Sequence, residues 1–241
     1  MDAHRHKRQY IAMFGIQRAI ILAAGKGTRL KSLTHNKPKA LMQIGGEAAI
    51  VRVIRHLVRQ GIHDIAINIH HHASQIQNEL GNGTHFNANL YYSYEEQLLD
   101  SGGGARTALD LLPGEGPVLI HNADIMSTIN ITHLHDICPT QGCALALVPN
   151  PKHNLQGDFS LQQQRIIQQP KNPYTFAGVS VWQPPALLEY PSQTAFSLIQ
   201  PIHTCITQQQ CAGLIHQGHW FDIGRPHDLI QAHHYYSQEA L

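Results

Sequence analysis

The sequence lacks an excess of charge of either sign: its formal net charge is +1 and 14% of its residues are charged. Without a broad electropositive surface it is not built for non-specific nucleic-acid binding, which rests on phosphate contacts, so the expected partner is a small anion held in a local pocket. Its four cysteines, Cys138, Cys143, Cys205 and Cys211, form no CxxC pair. That excludes the usual zinc and dithiol frameworks and fits reduced thiols in a cytoplasmic protein. No apolar run reaches the roughly 20 residues of a membrane span, and no apolar segment with a small-residue cleavage site follows the basic start, so a soluble, unexported chain without a membrane partner is expected. Histidine is abundant, with 19 residues. Those at His70-His71-His72, His133 and His135 share no repeated spacing with cysteine or carboxylate and are read as composition rather than as a metal site.

What is present is a chain of 241 residues, 42% of them hydrophobic, enough for the core of one large α/β domain. Residues 1–17 begin with a polar stretch and are expected to form a flexible extension, leaving 18–241 as a single domain. The run Arg18-Ala19-Ile20-Ile21-Leu22 passes straight into a glycine turn, as a buried parallel strand does when it meets a ligand loop. Ala48 to Gln60 places Ile50, Val51, Ile54, Leu57 and Val58 on one helical face, and Gly61 ends that helix before a strand from Asp64 to Ile69. The alternation continues with a helix over Ser74 to Leu80, a strand over Asn89 to Tyr94 and a helix over Gly104 to Leu112. A buried strand from Pro117 then delivers Asp124 at its carboxyl end. Such alternation predicts a Rossmann-like three-layer α/β sandwich with a mainly parallel mixed sheet and ligands beyond the carboxyl ends of the strands. Cys143 to Val148, Phe159 to Gln163, Arg165 to Gln168 and Ala177 to Trp182 read as antiparallel hairpins beside that sheet.

The candidate phosphate cradle is Ala23-Ala24-Gly25-Lys26-Gly27-Thr28-Arg29. A Walker loop needs a glycine where Ile20 stands and a Ser or Thr where Gly27 stands; a dinucleotide fingerprint needs a third glycine where Leu30 stands. With both excluded, what remains is a glycine loop carrying Lys26 and Arg29, followed by Lys39 in Lys37-Pro38-Lys39. Glycines let backbone N–H groups approach phosphate oxygens, Arg offers a planar fork and Lys a point charge. A plain turn with solvated charges stays open as the alternative. Asp124 and Asp222 come from distant parts of the chain, and two such carboxylates can converge on Mg²⁺, although either alone also suits a cap or turn.

The ordered set Leu22-Ala23-Ala24-Gly25-Lys26-Gly27-Thr28-Arg29-Leu30, then Lys37-Pro38-Lys39-Ala40-Leu41, resembles the signature of the sugar-1-phosphate nucleotidyltransferases. The likeness continues through Asp100-Ser101-Gly102-Gly103-Gly104, Asn122-Ala123-Asp124, Gly157-Asp158-Phe159, Phe176 to Val181 and Gly218 to Gly224. It implies the nucleotide-diphospho-sugar transferase fold, an NTP and a sugar 1-phosphate as substrates, and Mg²⁺ as cofactor. By the same resemblance Ala23, Ala24, Gly25, Lys26, Gly27 and Thr28 hold the triphosphate, and Arg29 and Lys39 are its catalytic cations. Ser101, Gly102 and Gly103 face the base, and Asn68 approaches the nucleotide. Asn122, Asp158 and Gly178 face the sugar or ribose, and Asp124 and Asp222 hold the metal.

Within the family, the short chain and triple glycine are most similar to the N-acetylmuramate α-1-phosphate uridylyltransferases of peptidoglycan recycling, with mannose-1-phosphate guanylyltransferase as the alternative. Ala123 stands where the family usually has glycine, and Ile125-Met126-Ser127 replaces a more usual aromatic and polar sequence. The C-terminal β-helix of larger relatives has no counterpart here, so a second activity is not expected. In the reaction so implied, a sugar phosphate oxygen attacks the α-phosphorus in line and pyrophosphate leaves, with positioning and charge neutralisation in place of a general base. A non-catalytic nucleotide-sugar sensor and a transferase for a non-sugar phosphate such as phosphocholine are the rival readings.

Overall fold

The computed structural model of the chain describes residues 15–25, 27 and 36–238. Its first strand, β1 (Arg18–Leu22), is followed by one turn of 3-10 helix (Lys39–Leu41), the short hairpin β2 (Gln43–Ile44) and β3 (Glu47–Ala48), and helix α1 (Ala49–Arg59). Next come β4 (Asp64–Ile69), α2 (Ala73–Leu80), β5 (Asn89–Tyr94), α3 (Asp100–Leu109), β6 (Val118–Asn122), β7 (Ile125–Ser127) and α4 (Ile131–Asp136). The second half holds β8 (Cys143–Pro149), β9 (Ser160–Gln162), β10 (Arg165–Ile167), β11 (Tyr174–Trp182), α5 (Pro185–Leu188), α6 (Ile199–Thr207), β12 (Cys211–Ile215), β13 (Trp220–Asp222) and α7 (Pro226–Gln238).

Nine strands form one sheet in the order β5-β4-β1-β6-β11-β8-β12-β10-β9. The strands β5, β4, β1 and β6 are mutually parallel, and among the nine only β11 and β10 run against the rest. The centre of a parallel sheet is covered on both faces, which is why β1 can be apolar on each side. Successive residues of β1 supply two cores. Ala19 and Ile21 pack with Ile50, Ile54 and Leu57 of α1, whereas Ile20 packs with Ala105 and Ala108 of α3 and Ile202 of α6. Each fully buried Ile or Leu among them contributes about 1.5–3 kcal/mol relative to exposure. The result is the three-layer sandwich read from the sequence pattern, with the carboxyl ends of β5, β4, β1 and β6 along one edge.

Three local features differ from the pattern. Helix α3 starts at Asp100, not Gly104, so the triple glycine lies inside its first turns. Three consecutive glycines oppose a helix intrinsically, but here tertiary contacts override propensity: the Phe196 carbonyl accepts the N–H groups of both Gly102 and Gly103 at 2.9 and 3.0 Å. Second, the strands of the second half extend the main sheet, and β12 joins it parallel to β8. Third, packing begins before Arg18, since Ile16 is buried and the Gln17 carbonyl accepts the N–H groups of His63 and Asp64. Residues 1–14 of the expected extension lie outside the described residues.

Candidate active site

Along the carboxyl edge, the ends of β5, β4, β1 and β6 wall a cleft of about 520 Å³, within the size range of small-ligand sites. Its floor is formed by Ala23, Ala24, Gly25 and Gly27. Lys26, Thr28 and Arg29 of the expected cradle lie outside the described residues.

At the β6 end the cleft is charged. The 3-10 turn after Pro38, anchored by buried Ala40 and Leu41, presents Lys39. Its Nζ pairs with Asp124 Oδ2 and lies 3.9 Å from Asp222 Oδ1. Asp124 and Asp222 are far apart in the chain, and a two-stranded ladder joins them: Asp222 of β13 pairs with Ile125 of β7, and the Ile223 N–H donates to the Asp124 carbonyl at 3.0 Å. Trp220 Nε1 donates to the Ala177 carbonyl at 2.9 Å, tying this ladder to β11. The Gly224 N–H donates to Asp222 Oδ1 at 2.8 Å and fixes that carboxylate. Both carboxylates therefore lie beside one cation, an arrangement compatible with Mg²⁺, which takes one or two carboxylates together with phosphate oxygens. Among the described residues no group of three or more His, Cys, Asp or Glu side chains is placed to hold a metal.

Behind this end, on β6, His121 is 2% exposed with Nδ1 donating to the Asn122 carbonyl at 2.8 Å. Burial pushes its pKa down to about 4, so the imidazole is neutral at physiological pH.

At the β5 end the polar groups are neutral or bonded to neutral donors. The Ala23 N–H donates to Asn68 Oδ1 at 2.7 Å, and Asn68 Nδ2 donates to Glu95 Oε1 at 2.7 Å. Leu98, Asp100 and Ser101 complete this wall. The Ser101 N–H is taken by Asp100 Oδ1 at 2.5 Å, and Asp100 adopts a left-handed φ of 58°.

Of the residues singled out from sequence, the structure brings Ala23, Ala24, Gly25, Gly27, Lys39, Asn68, Ser101, Asn122 and Asp124 to the cleft wall, with Asp222 beside Lys39. Gly102, Gly103, Asp158 and Gly178 are not in that wall. Gly102 is covered by Phe196 and Gly103 by Thr194, so their bare Cα faces serve helix packing. Asp158 accepts from Asn154 Nδ2 at 2.9 Å and from the Phe176 N–H at 2.8 Å, bracing the irregular start of β11. Gly178, at φ 76°, stands behind Asn122: a Cβ there would lie 2.7 Å from Asn122 Nδ2. Sequence reasoning missed Glu95, Leu98 and Gly224, all of which line the cleft. A signal for Glu95 existed, since it follows a strand whose carboxyl end falls on the ligand edge.

The nucleotidyl transferase family profile matches residues 18–239. The N-acetylmuramate alpha-1-phosphate uridylyltransferase of Neisseria meningitidis serogroup B is 32% identical over 215 residues, covering 86% of the chain and 93% of that relative. A protein of the same name from Caulobacter vibrioides is 27% identical over 233 residues, covering 89% of the chain and 94% of the relative. Among solved structures, a UDP-glucose pyrophosphorylase from Acinetobacter baumanii superposes with a TM-score of 0.77 at 18% identity, covering 93% of the chain and 94% of its own. One from Bacillus anthracis, described as a glucose-1-phosphate thymidylyltransferase, gives 0.82 at 20% identity, covering 91% and 95%. These structural likenesses establish the expected fold.

Proposed function

The chain belongs to the nucleotidyl transferase family as a sugar-1-phosphate nucleotidyltransferase, and we propose that it joins UTP to N-acetylmuramate α-1-phosphate with Mg²⁺ as cofactor, working as one cytoplasmic domain. The observation that carries the reading is the meeting of Lys39, Asp124 and Asp222 at one end of a cleft floored by the glycine-turn backbone. The choice of base and sugar rests on the two uridylyltransferase relatives.

In this reading the backbone of Ala23 to Gly27 and the side chain of Arg29 hold the triphosphate. A sugar phosphate oxygen forms a new bond to the α-phosphorus as the bond to pyrophosphate breaks. No general base is needed, because a phosphate monoester is largely dianionic at neutral pH. Asp124 and Asp222 would hold Mg²⁺, which would supply neutralisation of charge on the phosphate oxygens. Lys39 exchanges its carboxylate partners for a substrate phosphate and offsets repulsion between the two anions. Asn122 closes the acceptor side.

The test is pyrophosphate release with Mg²⁺, using N-acetylmuramate α-1-phosphate, mannose 1-phosphate and phosphocholine against each of the four nucleoside triphosphates. UTP with N-acetylmuramate α-1-phosphate is expected to give the highest kcat/KM. Faster release from GTP with mannose 1-phosphate would reassign the substrates, and release from no pair would leave a sensor.

A further inference from the structure

Glu95 is a buried carboxylate, 2% exposed, and no cation pairs with it among the described residues. Removing such a group from water is costly unless its oxygens are well bonded. Both are: Oε1 accepts from Asn68 Nδ2 at 2.7 Å and Oε2 accepts from the Leu99 N–H at 3.0 Å. Asn68, 3% exposed, uses its own oxygen for the Ala23 N–H. Backbone bonds hold Glu95 from behind, its N–H donating to the Ile69 carbonyl and its carbonyl accepting from His70 Nδ1. One continuous relay thus runs from the turn after β1, through the ends of β4 and β5, to the residue that precedes α3.

The triple glycine belongs to the same device. A Cβ on Gly104 would come within 2.6 Å of Glu95 Oε1 and would also strike Asn68 Nδ2. A bare Cα therefore lets α3 lie directly on the relay.

We propose that Glu95 is a positioning residue that fixes the triphosphate-binding backbone at Ala23 relative to the start of α3, so that the floor and the β5 wall of the cleft act as one rigid body. The role needs a carboxylate at one of the two side-chain positions. The relay contains donors at Ala23, Asn68 and Leu99, and only a group with two acceptor oxygens can end it without opposing two donors. With Gln at position 95, every orientation of the two amides sets donor against donor or leaves one buried N–H unbonded. With Asp at position 68 alone, two carboxylates face each other across the 2.7 Å contact. Exchanging both restores every bond. Asp at 68 then accepts from the Ala23 N–H and the Gln side-chain amide, while the Gln oxygen accepts from the Leu99 N–H.

This inference rests on the proposed nucleotidyl transfer, and the experiment separates the two. The Kd of UTP with Mg²⁺ would be measured by calorimetry for the wild-type chain, Glu95→Gln, Asn68→Asp and the double exchange. KM for each substrate and the thermal midpoint would be measured on the same four proteins. Each single variant is expected to raise the UTP Kd at least tenfold and leave KM for the sugar phosphate unmoved, and the double exchange to return the Kd to within about threefold of wild type, the coupling a double-mutant cycle detects. Wild-type Kd in Glu95→Gln overturns the proposal. So does a double exchange that binds no better than the weaker single variant, or that fails to fold. If a single variant fails to fold, the Kd of the double exchange decides alone. A wild-type chain that binds no UTP overturns the substrate reading instead, and the series is then run with the triphosphate it does bind.

Discussion

On the β5 side of the cleft, the polar groups are bonded to one another through neutral donors, from Ala23 to Asn68 to Glu95 to Leu99. On the β6 side, the groups that meet are ions, with Lys39 between Asp124 and Asp222. The first wall has its bonds complete before any substrate enters, so it sets shape. In the second wall the side chains of Lys39, Asp124 and Asp222 are 12%, 21% and 14% exposed, so each ion can trade its partner for a phosphate or a metal. A wall whose groups are bonded to one another suits recognition of a nucleotide, and an exchangeable ion-paired wall suits chemistry whose charge changes along the reaction.

The largest effect that tests this division comes from the charged wall. Asp124→Ala or Asp222→Ala should lower kcat for pyrophosphate release by roughly a hundredfold to a thousandfold, the scale of one preorganised group acting on the transition state. The thermal midpoint should change little, because an exchangeable wall holds little of the fold. Turnover within threefold of wild type would remove that carboxylate from the chemistry. Lys39→Met should come next, lowering kcat by about tenfold to a hundredfold. It also leaves Asp124 and Asp222 facing each other without a cation, so added Mg²⁺ should raise the midpoint of Lys39→Met more than that of the wild type. An equal response in both proteins would mean that the ammonium and the metal do not share a place.

The two walls were not equally legible in the sequence. Asp124 could be found because an apolar strand, Val118 to Asn122, runs straight into it, and Lys39 because the motif around Pro38 resembles a family signature. The order of β1, α1, β4, α2 and β5 was readable for the same physical reason: helices and buried parallel strands carry strong hydrophobic periods. The meeting of Asp222 with Asp124 was readable only through the family resemblance, since the three-residue ladder of β7 and β13 that brings it about is too short to leave a period. The β5 wall was the least visible. Its acidic member, Glu95, sits in Tyr94-Glu95-Glu96-Gln97, which reads as solvated polar sequence, and burial is a tertiary property. The expected helix began only at Gly104, because propensity alone opposes a helix through Gly102 and Gly103; the meaning of the triple glycine lies in what Gly104 touches.

That contact gives the next prediction. Gly104→Ala introduces a Cβ where Asn68 and Glu95 already stand, and overpacking of this kind costs about 1–3 kcal/mol. The midpoint should fall by roughly 2–4 °C for each kcal/mol in a chain of this size. The UTP Kd should rise in the same protein, because the strain is delivered to the relay. If the midpoint falls with an unchanged Kd, α3 packing and nucleotide binding are separate, and the β5 wall is not one rigid unit.

The smallest effect concerns what stands behind the charged wall. His121 neighbours Asn122 on β6, and its buried imidazole has its pKa pushed down to about 4 from an ordinary 6.5. The unfolded chain therefore takes up a proton at this residue as pH falls below the ordinary value, whereas the folded chain resists until the depressed value. Stability contributed by the neutral form is complete above the unfolded pKa and is lost as pH falls towards the folded one. At about pH 5.5 the loss is about 1 kcal/mol relative to about pH 8. His121→Gln keeps a polar side chain but cannot titrate, so its midpoint should decline less than that of the wild type between those two conditions, by roughly 2–4 °C. Parallel declines would mean that the acid sensitivity belongs to other groups. A shallower decline in the variant, with kcat at neutral pH unchanged, would show that the strand leading into Asp124 must itself stay uncharged.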